Sequence, residues 1–351
     1  MKIKEKLCFY MGYSESFNGK NYNTQNVFGS EINAIKLAES LTHIYDVYIF
    51  VNIDNNQELI HNNVHYLNLY KISDFKSIDI LIIVRYINYF LYNNHNAKKT
   101  FIWICDMIIN PVYNGDRLPN NASNLIYNFK DKINGLIFLS DWHIHNNLSL
   151  IDLSIFNYRI IFNPISLKYY KDNVTKNINS FIYMSDPNRG LSILLDCLIY
   201  IQDKIPDISL TVFRNHEFNH EIKNKIKKLK NVKSYSKASQ QIIANECLKS
   251  EYFFYPTNFY ETFCNCAAEA QLYKCVCIYN PIGGLTSTIN DRGFSIPYNI
   301  NDIDYIENTC NDVIKLMNDQ SKKNYFIERG HLWAKSLDIE LIKDKWLNYI
   351  S

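Results

Sequence analysis

The 351-residue chain is longer than one hydrophobic core usually requires, and its 47% apolar residues can fill two. Thirty-seven basic residues against thirty-five acidic ones leave a net charge of +2, with no stretch that interleaves Lys and Arg with an aromatic platform, so nucleic acid is not an expected partner. No segment approaches the roughly 20 apolar residues needed to cross a bilayer, and the basic start, MKIKEKLCFYMGYS, lacks a signal peptide's apolar stretch and cleavage site. The expectation is a soluble, cytoplasmic protein. Its aromatic share of 15%, with abundant Asn, Ile, Lys and Tyr, fits an AT-rich genome of bacterial or viral origin.

In chain order, short apolar runs predict strands at Leu7 to Tyr10, Val47 to Val51, Val64 to Leu69, Ile78 to Val84, Thr100 to Cys105, Gly135 to Leu139 and Arg159 to Phe162. Between the first two lies a helix from Glu31 to Leu41, with Ile32, Ile35, Ala38 and Leu41 on one face and Ser30 as a cap. The pattern breaks near Asn163-Pro164, and the polar stretch Lys168 to Asn179 reads as a linker. A second series then predicts strands at Ser180 to Met184, Ser209 to Phe213, Val232 to Tyr235, Glu251 to Tyr255 and Lys274 to Tyr279. Helices fall at Leu191 to Gln202, Asn219 to Lys230, Ser239 to Leu248 and Phe263 to Tyr273, and two more close the chain at Asp302 to Asn318 and Asn324 to Tyr349.

Alternating strands and helices in two series predict an α/β fold of two Rossmann-like domains facing across a cleft. The first spans 1–165, completed by a terminal helix over 324–351 that crosses back to it, and the second spans 166–323. Trp333 and Trp346 give that helix its docking surface. Ligands of open parallel sheets bind at the carboxyl ends of the strands, so the chemistry belongs in the loops after strands.

The most informative loop is Tyr255-Pro256-Thr257-Asn258-Phe259-Tyr260-Glu261-Thr262-Phe263-Cys264, which ends a strand and opens a helix near Thr262 or Phe263 that contains Glu269. Amides at a helix start favour phosphate. If all eight intervening positions were helical, Glu261 and Glu269 would be separated by about 12 Å of rise, the scale of a nucleotide-sugar. The alternative is that Glu261 complements the helix dipole and Glu269 is a surface residue.

Arg189-Gly190, after the strand FIYMS, offers a cation and a close backbone approach to a diphosphate, or else a helix-terminal arginine bonded to a local carboxylate. Gly283 and Gly284, after KCVCIY, permit a tight turn near a ligand. In the first half, the loop Asn26 to Glu31 brings Gly29 to a helix start that can take an anion, while Arg85 and Asp106 end strands. Arg85 can hold a sugar or phosphate, and Asp106 can bind sugar hydroxyls or act as a base; a buried ion pair or a helix cap is the alternative.

Gly12 and Gly19 do not form the G-x-G-x-x-G dinucleotide fingerprint, which argues against a dehydrogenase or methyltransferase. Cys264-x-Cys266 and Cys275-x-Cys277 lack the usual zinc spacing, so the nine cysteines read as reduced thiols, these four as buried ones, with no metal.

Together these segments resemble the retaining GT-B glycosyltransferases of family 4. VFGSEINAIKLAESL with DVYIFV is similar to the family's N-terminal glycine loop, helix and strand, and RIIFNPIS to the strand that enters its linker. FIYMSDPNRGLSILLD resembles the opening of its donor domain, and YPTNFYETFCNCAAEAQLYKCVCIYNPIGGL its E-x7-E region. The resemblance implies transfer of a hexosyl-type sugar, with retention and without metal or other cofactor, from a UDP- or GDP-sugar to a glycan, lipid-linked or protein acceptor. It places Glu261 at the donor sugar, Glu269 at the ribose, amides of Thr262, Phe263 and Cys264 at the phosphates and Arg189 at the diphosphate. Family members commonly set an Arg and a Lys around the diphosphate, whereas this segment supplies only Arg189, with Arg214 after Phe213 as a substitute. A nucleotide-sugar epimerase of the same architecture and a non-catalytic sugar-nucleotide or glycan-binding protein are the alternatives.

Overall fold

The computed structural model describes residues 4–351 except 13, 15, 23–26, 28, 55–57, 94–96, 110–111, 114–115, 118–121, 215 and 237. The chain divides into two compact units: residues Met1–Pro164 with Ile339–Ser351, and residues Ile165–Asp338.

The first unit is built on an eight-stranded sheet. Its strands are β1 (Lys6–Tyr10), β2 (Asp46–Val51), β3 (Leu59–His61), β4 (Val64–Asn68), β5 (Ile78–Val84), β6 (Ala97–Trp103), β9 (Gly135–Phe138) and β10 (Tyr158–Ile160); β7 (Val112–Tyr113) and β8 (Asp116–Arg117) form a separate hairpin. The order is β10-β9-β6-β5-β1-β2-β4-β3, parallel throughout except for the short antiparallel β3. The central strands are buried on both faces, which explains why they read as near-continuous apolar runs such as ILIIV in β5. Helix Gly29–Leu41 connects β1 to β2 and buries Ile35, Ala38 and Leu41. The edge strand β3 was not foreseen, because LIH is too short and half-exposed to show a pattern.

The second unit carries β11 (Asn177–Tyr183), β12 (Ser209–Arg214), β13 (Val232–Ser236), β14 (Ser250–Tyr255), β15 (Val276–Tyr279) and β16 (Phe294–Ser295), in the parallel order β13-β12-β11-β14-β15-β16. β11 begins inside the stretch read as linker. Its polar start conceals it, since Asn179 has a positive φ of 57° and the register shifts between Asn177 and Phe181.

The helix expected over Asn324 to Tyr349 is two, Gln320–Lys335 and Ile339–Ile350. The break falls where the chain pairs sideways: Ile165 N–H donates to the Leu337 carbonyl at 2.9 Å, and Asp338 bridges Ile165. The two tryptophans accordingly serve different units. Trp333 stays with the second, 6.4 Å from the Phe263 ring and beneath the Arg292 guanidinium at 4.3 Å. Trp346 is fully buried in the first, edge-on to Trp103 at 4.9 Å. Tyr349 of the same helix lies 5.3 Å from Phe101 and occupies the space where a side chain at Gly135 would place its Cβ.

Candidate functional site

In the second unit the loops after β11, β14 and β15 meet. Tyr183 ends β11 and donates its hydroxyl to the Asp186 carbonyl at 2.8 Å, which shapes the turn that carries Arg189. Asp186 accepts from the Asn188 amide, and Gly190 follows with φ 117°. A Cβ there would lie 2.2 Å from the Pro256 carbonyl oxygen, so only glycine lets the two loops approach this closely.

Arg189 Nη1 reaches both carboxylate oxygens of Glu261, at 3.1 and 3.3 Å, and its guanidinium lies over the Phe259 ring at 4.0 Å. Burial works against the charge on Arg189, but Glu261, Tyr255 and Cys264 together outweigh it and raise its pKa. Glu261 is only 8% exposed. Its Oε1 also accepts from the buried Tyr255 hydroxyl at 2.8 Å, and Tyr255 lies 3.0 Å from Ser185 Oγ. The helix-dipole alternative for Glu261 thus gives way to a paired carboxylate.

The backbone of Glu261 is held just as closely. Gly284 N–H donates to its carbonyl at 2.5 Å, and a Cβ on Gly283 would fall 2.8 Å from the same oxygen. A Cβ on Gly284 would overlap the Thr262 carbonyl. The close approach expected of this glycine pair is therefore to the chain's own loop.

The helix that follows spans Asn265–Leu272, opening beyond the expected Thr262 or Phe263. The delay comes at Cys264, whose φ of 73° is left-handed, an uncommon state for a residue with a Cβ. Only Asn265 to Glu269 is helical between the two glutamates, so the helical rise is about 6 Å rather than 12 Å. Glu269 is half-buried on this helix. Phe263 is buried, its carbonyl taken by the Thr288 hydroxyl.

Arg214, at the end of β12, turns to Glu217 at 2.7 Å and to the His216 carbonyl at 3.2 Å, and packs over Phe218. Its Nε is buried with no hydrogen-bond partner among the described residues. His216 connects this loop to the Arg189 turn, 3.5 Å from Asn188 Nδ2.

The first unit has its own charged cluster at the ends of β5 and β6. Arg85, with φ 73°, grips Asp106 through two hydrogen bonds of 3.1 and 2.9 Å and lies 3.6 Å from Glu31. This is an ion pair, but a half-buried one rather than the buried pair weighed as an alternative, with the side chains 24% and 36% exposed. Gly29 begins helix Gly29–Leu41 and is exposed; Asn26 and Phe28 of its loop lie outside the described residues, as does much of the polar stretch Asn110 to Ala122.

Sequence reasoning missed His143. It is fully buried, its Nδ1 accepts from the Leu139 amide, and its Nε2 therefore donates to the Asp106 carbonyl at 2.7 Å. The available signal was Ser140, which caps helix Asp141–Asn147 by accepting from the His143 amide. Burial lowers the His143 pKa from 6.5 to about 4, against the opposing pull of Asp106. Between those values the unfolded chain binds a proton that the folded chain refuses, so stability is full above pH 6.5 and declines as pH falls toward 4. The expected loss is roughly 3 kcal/mol. Urea unfolding at pH 7 and pH 4.5 checks this: His143→Gln should show a flatter pH dependence than the parent chain, and equal dependences would refute it.

All nine cysteines are free thiols, and Cys264, Cys275 and Cys277 are buried while Cys266 is half-buried. Cys275 lies 3.7 Å from both Cys247 Sγ and Lys176 Nζ. Among the described residues no group of three or more His, Cys, Asp or Glu side chains could hold a metal ion, and no helix is long and apolar enough to cross a membrane.

No protein-family model and no curated protein matches the sequence. Solved structures do match the fold. Sucrose-phosphate synthase of Thermosynechococcus elongatus aligns with a TM-score of 0.75 at 13% identity over 98% of each chain. A glycosyltransferase of Rickettsia africae aligns at 0.72 and 15% identity over 98% of this chain and 97% of that one. HepE of Anabaena, in complex with UDP, aligns at 0.71 and 13% identity over 98% of both. The chain spans 60% of the length of TarM, at a TM-score of 0.63 and 18% identity. Its two parallel-sheet α/β units have the GT-B glycosyltransferase fold.

Proposed function

We propose that this chain is a glycosyltransferase that moves a sugar from a UDP- or GDP-sugar to an acceptor hydroxyl, with retention of anomeric configuration and without a metal. The observation that carries the reading is the Arg189–Glu261 pair at the carboxyl ends of β11 and β14, in a fold whose solved examples include a UDP complex. Arg189 offers the charge a departing diphosphate needs. Glu261 offers a fixed carboxylate to sugar hydroxyls, Glu269 one to the ribose, and Thr262 to Cys264 offer amides to the phosphates. Gly283 and Gly284 keep that loop in place.

In the reaction the bond from the anomeric carbon to the diphosphate oxygen breaks, with its electron pair leaving on the phosphate. The acceptor oxygen bonds to the same carbon and passes its proton to the departing diphosphate oxygen, which leaves as the nucleoside diphosphate. Positive charge grows on the sugar ring as negative charge grows on the phosphate, so electrostatic stabilisation by Arg189 supplies much of the rate. In the first unit, Arg85 and Asp106 are assigned to sugar or acceptor hydroxyls. Arg214 pairs locally with Glu217, so Arg189 is the principal cation proposed for the diphosphate.

A thermal-shift screen of UDP- and GDP-sugars tests donor binding. A ligand at about 100 times its dissociation constant should stabilise the chain by roughly 2.7 kcal/mol. No shift with any of them would sink the reading, and a shift with no product across a broad acceptor panel would favour a binding protein instead.

A further inference from the structure

We infer that Tyr255 is a positioning residue for the donor sugar, holding Glu261 in place through the relay Ser185 Oγ to Tyr255 Oη to Glu261 Oε1. The inference rests on the proposed function and adds residues to it.

A carboxylate that recognises sugar hydroxyls must keep its orientation when its surroundings change. Arg189 cannot guarantee that, because the same guanidinium is assigned to the diphosphate and is drawn toward it once a donor binds. Tyr255 has no such divided duty. Its ring is buried, 5.9 Å from Tyr183 and 5.7 Å from Phe253, and its hydroxyl is 2.8 Å from Glu261 Oε1.

Burial and the nearby carboxylate raise its pKa well above 10, so the phenol keeps its proton and donates a hydrogen bond to Glu261. Ser185 Oγ, buried and 3.0 Å away, is then the donor to Tyr255. Each hydroxyl in the chain gives one hydrogen bond forward, toward the charge, the arrangement in which such bonds reinforce one another. The geometry comes from the sheet: β11 and β14 pair in parallel, and their ends bring Ser185 and Tyr255 together below the Glu261 loop.

Calorimetric titration separates a positioning role from a structural one. UDP and GDP lack the sugar, whereas UDP-glucose, UDP-N-acetylglucosamine and GDP-mannose carry it. For whichever pair the parent chain binds, Tyr255→Phe should weaken the nucleotide-sugar by about tenfold. The bare nucleoside diphosphate should bind as before. Ser185→Ala should show a smaller loss in the same direction, and it breaks the relay without touching the aromatic packing. Equal binding of the nucleotide-sugar by both variants and the parent overturns the inference, as does a parallel loss of nucleotide and nucleotide-sugar. A parent chain that binds neither UDP, GDP nor their sugars overturns the underlying function instead, and that outcome is read before any variant is made.

Discussion

Arg189→Ala is expected to lower sugar transfer by about 100- to 1,000-fold while the chain remains folded, the scale seen when a preorganised stabiliser of developing charge is removed. The side chain is 39% exposed and stands at a loop end, so its loss opens no core cavity. Glu261 keeps its bond from Tyr255. The loss should therefore fall on the chemical step, where the departing diphosphate needs a counter-charge. Arg189→Lys restores charge but not the planar guanidinium that lies over Phe259, and should recover part of the rate. Steady-state transfer from the preferred nucleotide-sugar, with melting curves as the control on folding, measures both. Parent-like turnover in Arg189→Ala would remove this residue from the site.

Trp346→Ala should destabilise the first unit by about 3–5 kcal/mol, the usual penalty for deleting a buried aromatic side chain. Trp346 and Trp103 are both fully buried and meet edge to face. Neither indole N–H has a hydrogen-bond partner among the described residues. Trp346→Phe removes one of these buried donors while keeping a ring against Trp103, so it should cost far less than the alanine change. Denaturant unfolding of the three proteins decides this. Similar losses in Phe and Ala would mean that the N–H is satisfied and that packing is not the main term.

The central strands were legible because parallel strands covered on both faces carry near-continuous apolar runs, such as ILIIV in β5 and YFFY in β14. Short edge strands such as Phe294–Ser295 carry no such run. The helix ends were less legible because tertiary contacts set them: Cys264 delays one helix with a left-handed turn, and the pairing of Ile165 with Asp338 divides another. Candidate residues at strand ends could be named from position alone, but their partners could not. Glu261 reads as an isolated acid in the sequence; the pairing of β11 with β14 brings Arg189 to it from 72 positions away, and the turn of its own loop returns it to Tyr255, 6 positions before. His143 was missed because an inward-facing histidine within a polar helix looks like a surface residue.

The first unit is assembled from two separate stretches, residues 1–164 and 339–351, whereas the second is one continuous run, residues 165–338. Synthesis proceeds from the amino terminus, so the first unit is begun before the second and completed after it. Its eight-stranded sheet must wait, with the Trp103 and Gly135 surface uncovered, until helix Ile339–Ile350 leaves the ribosome. During that interval the second unit can already fold. A nascent chain stalled before residue 339 would therefore leave apolar surface around Trp103 uncovered in the first unit.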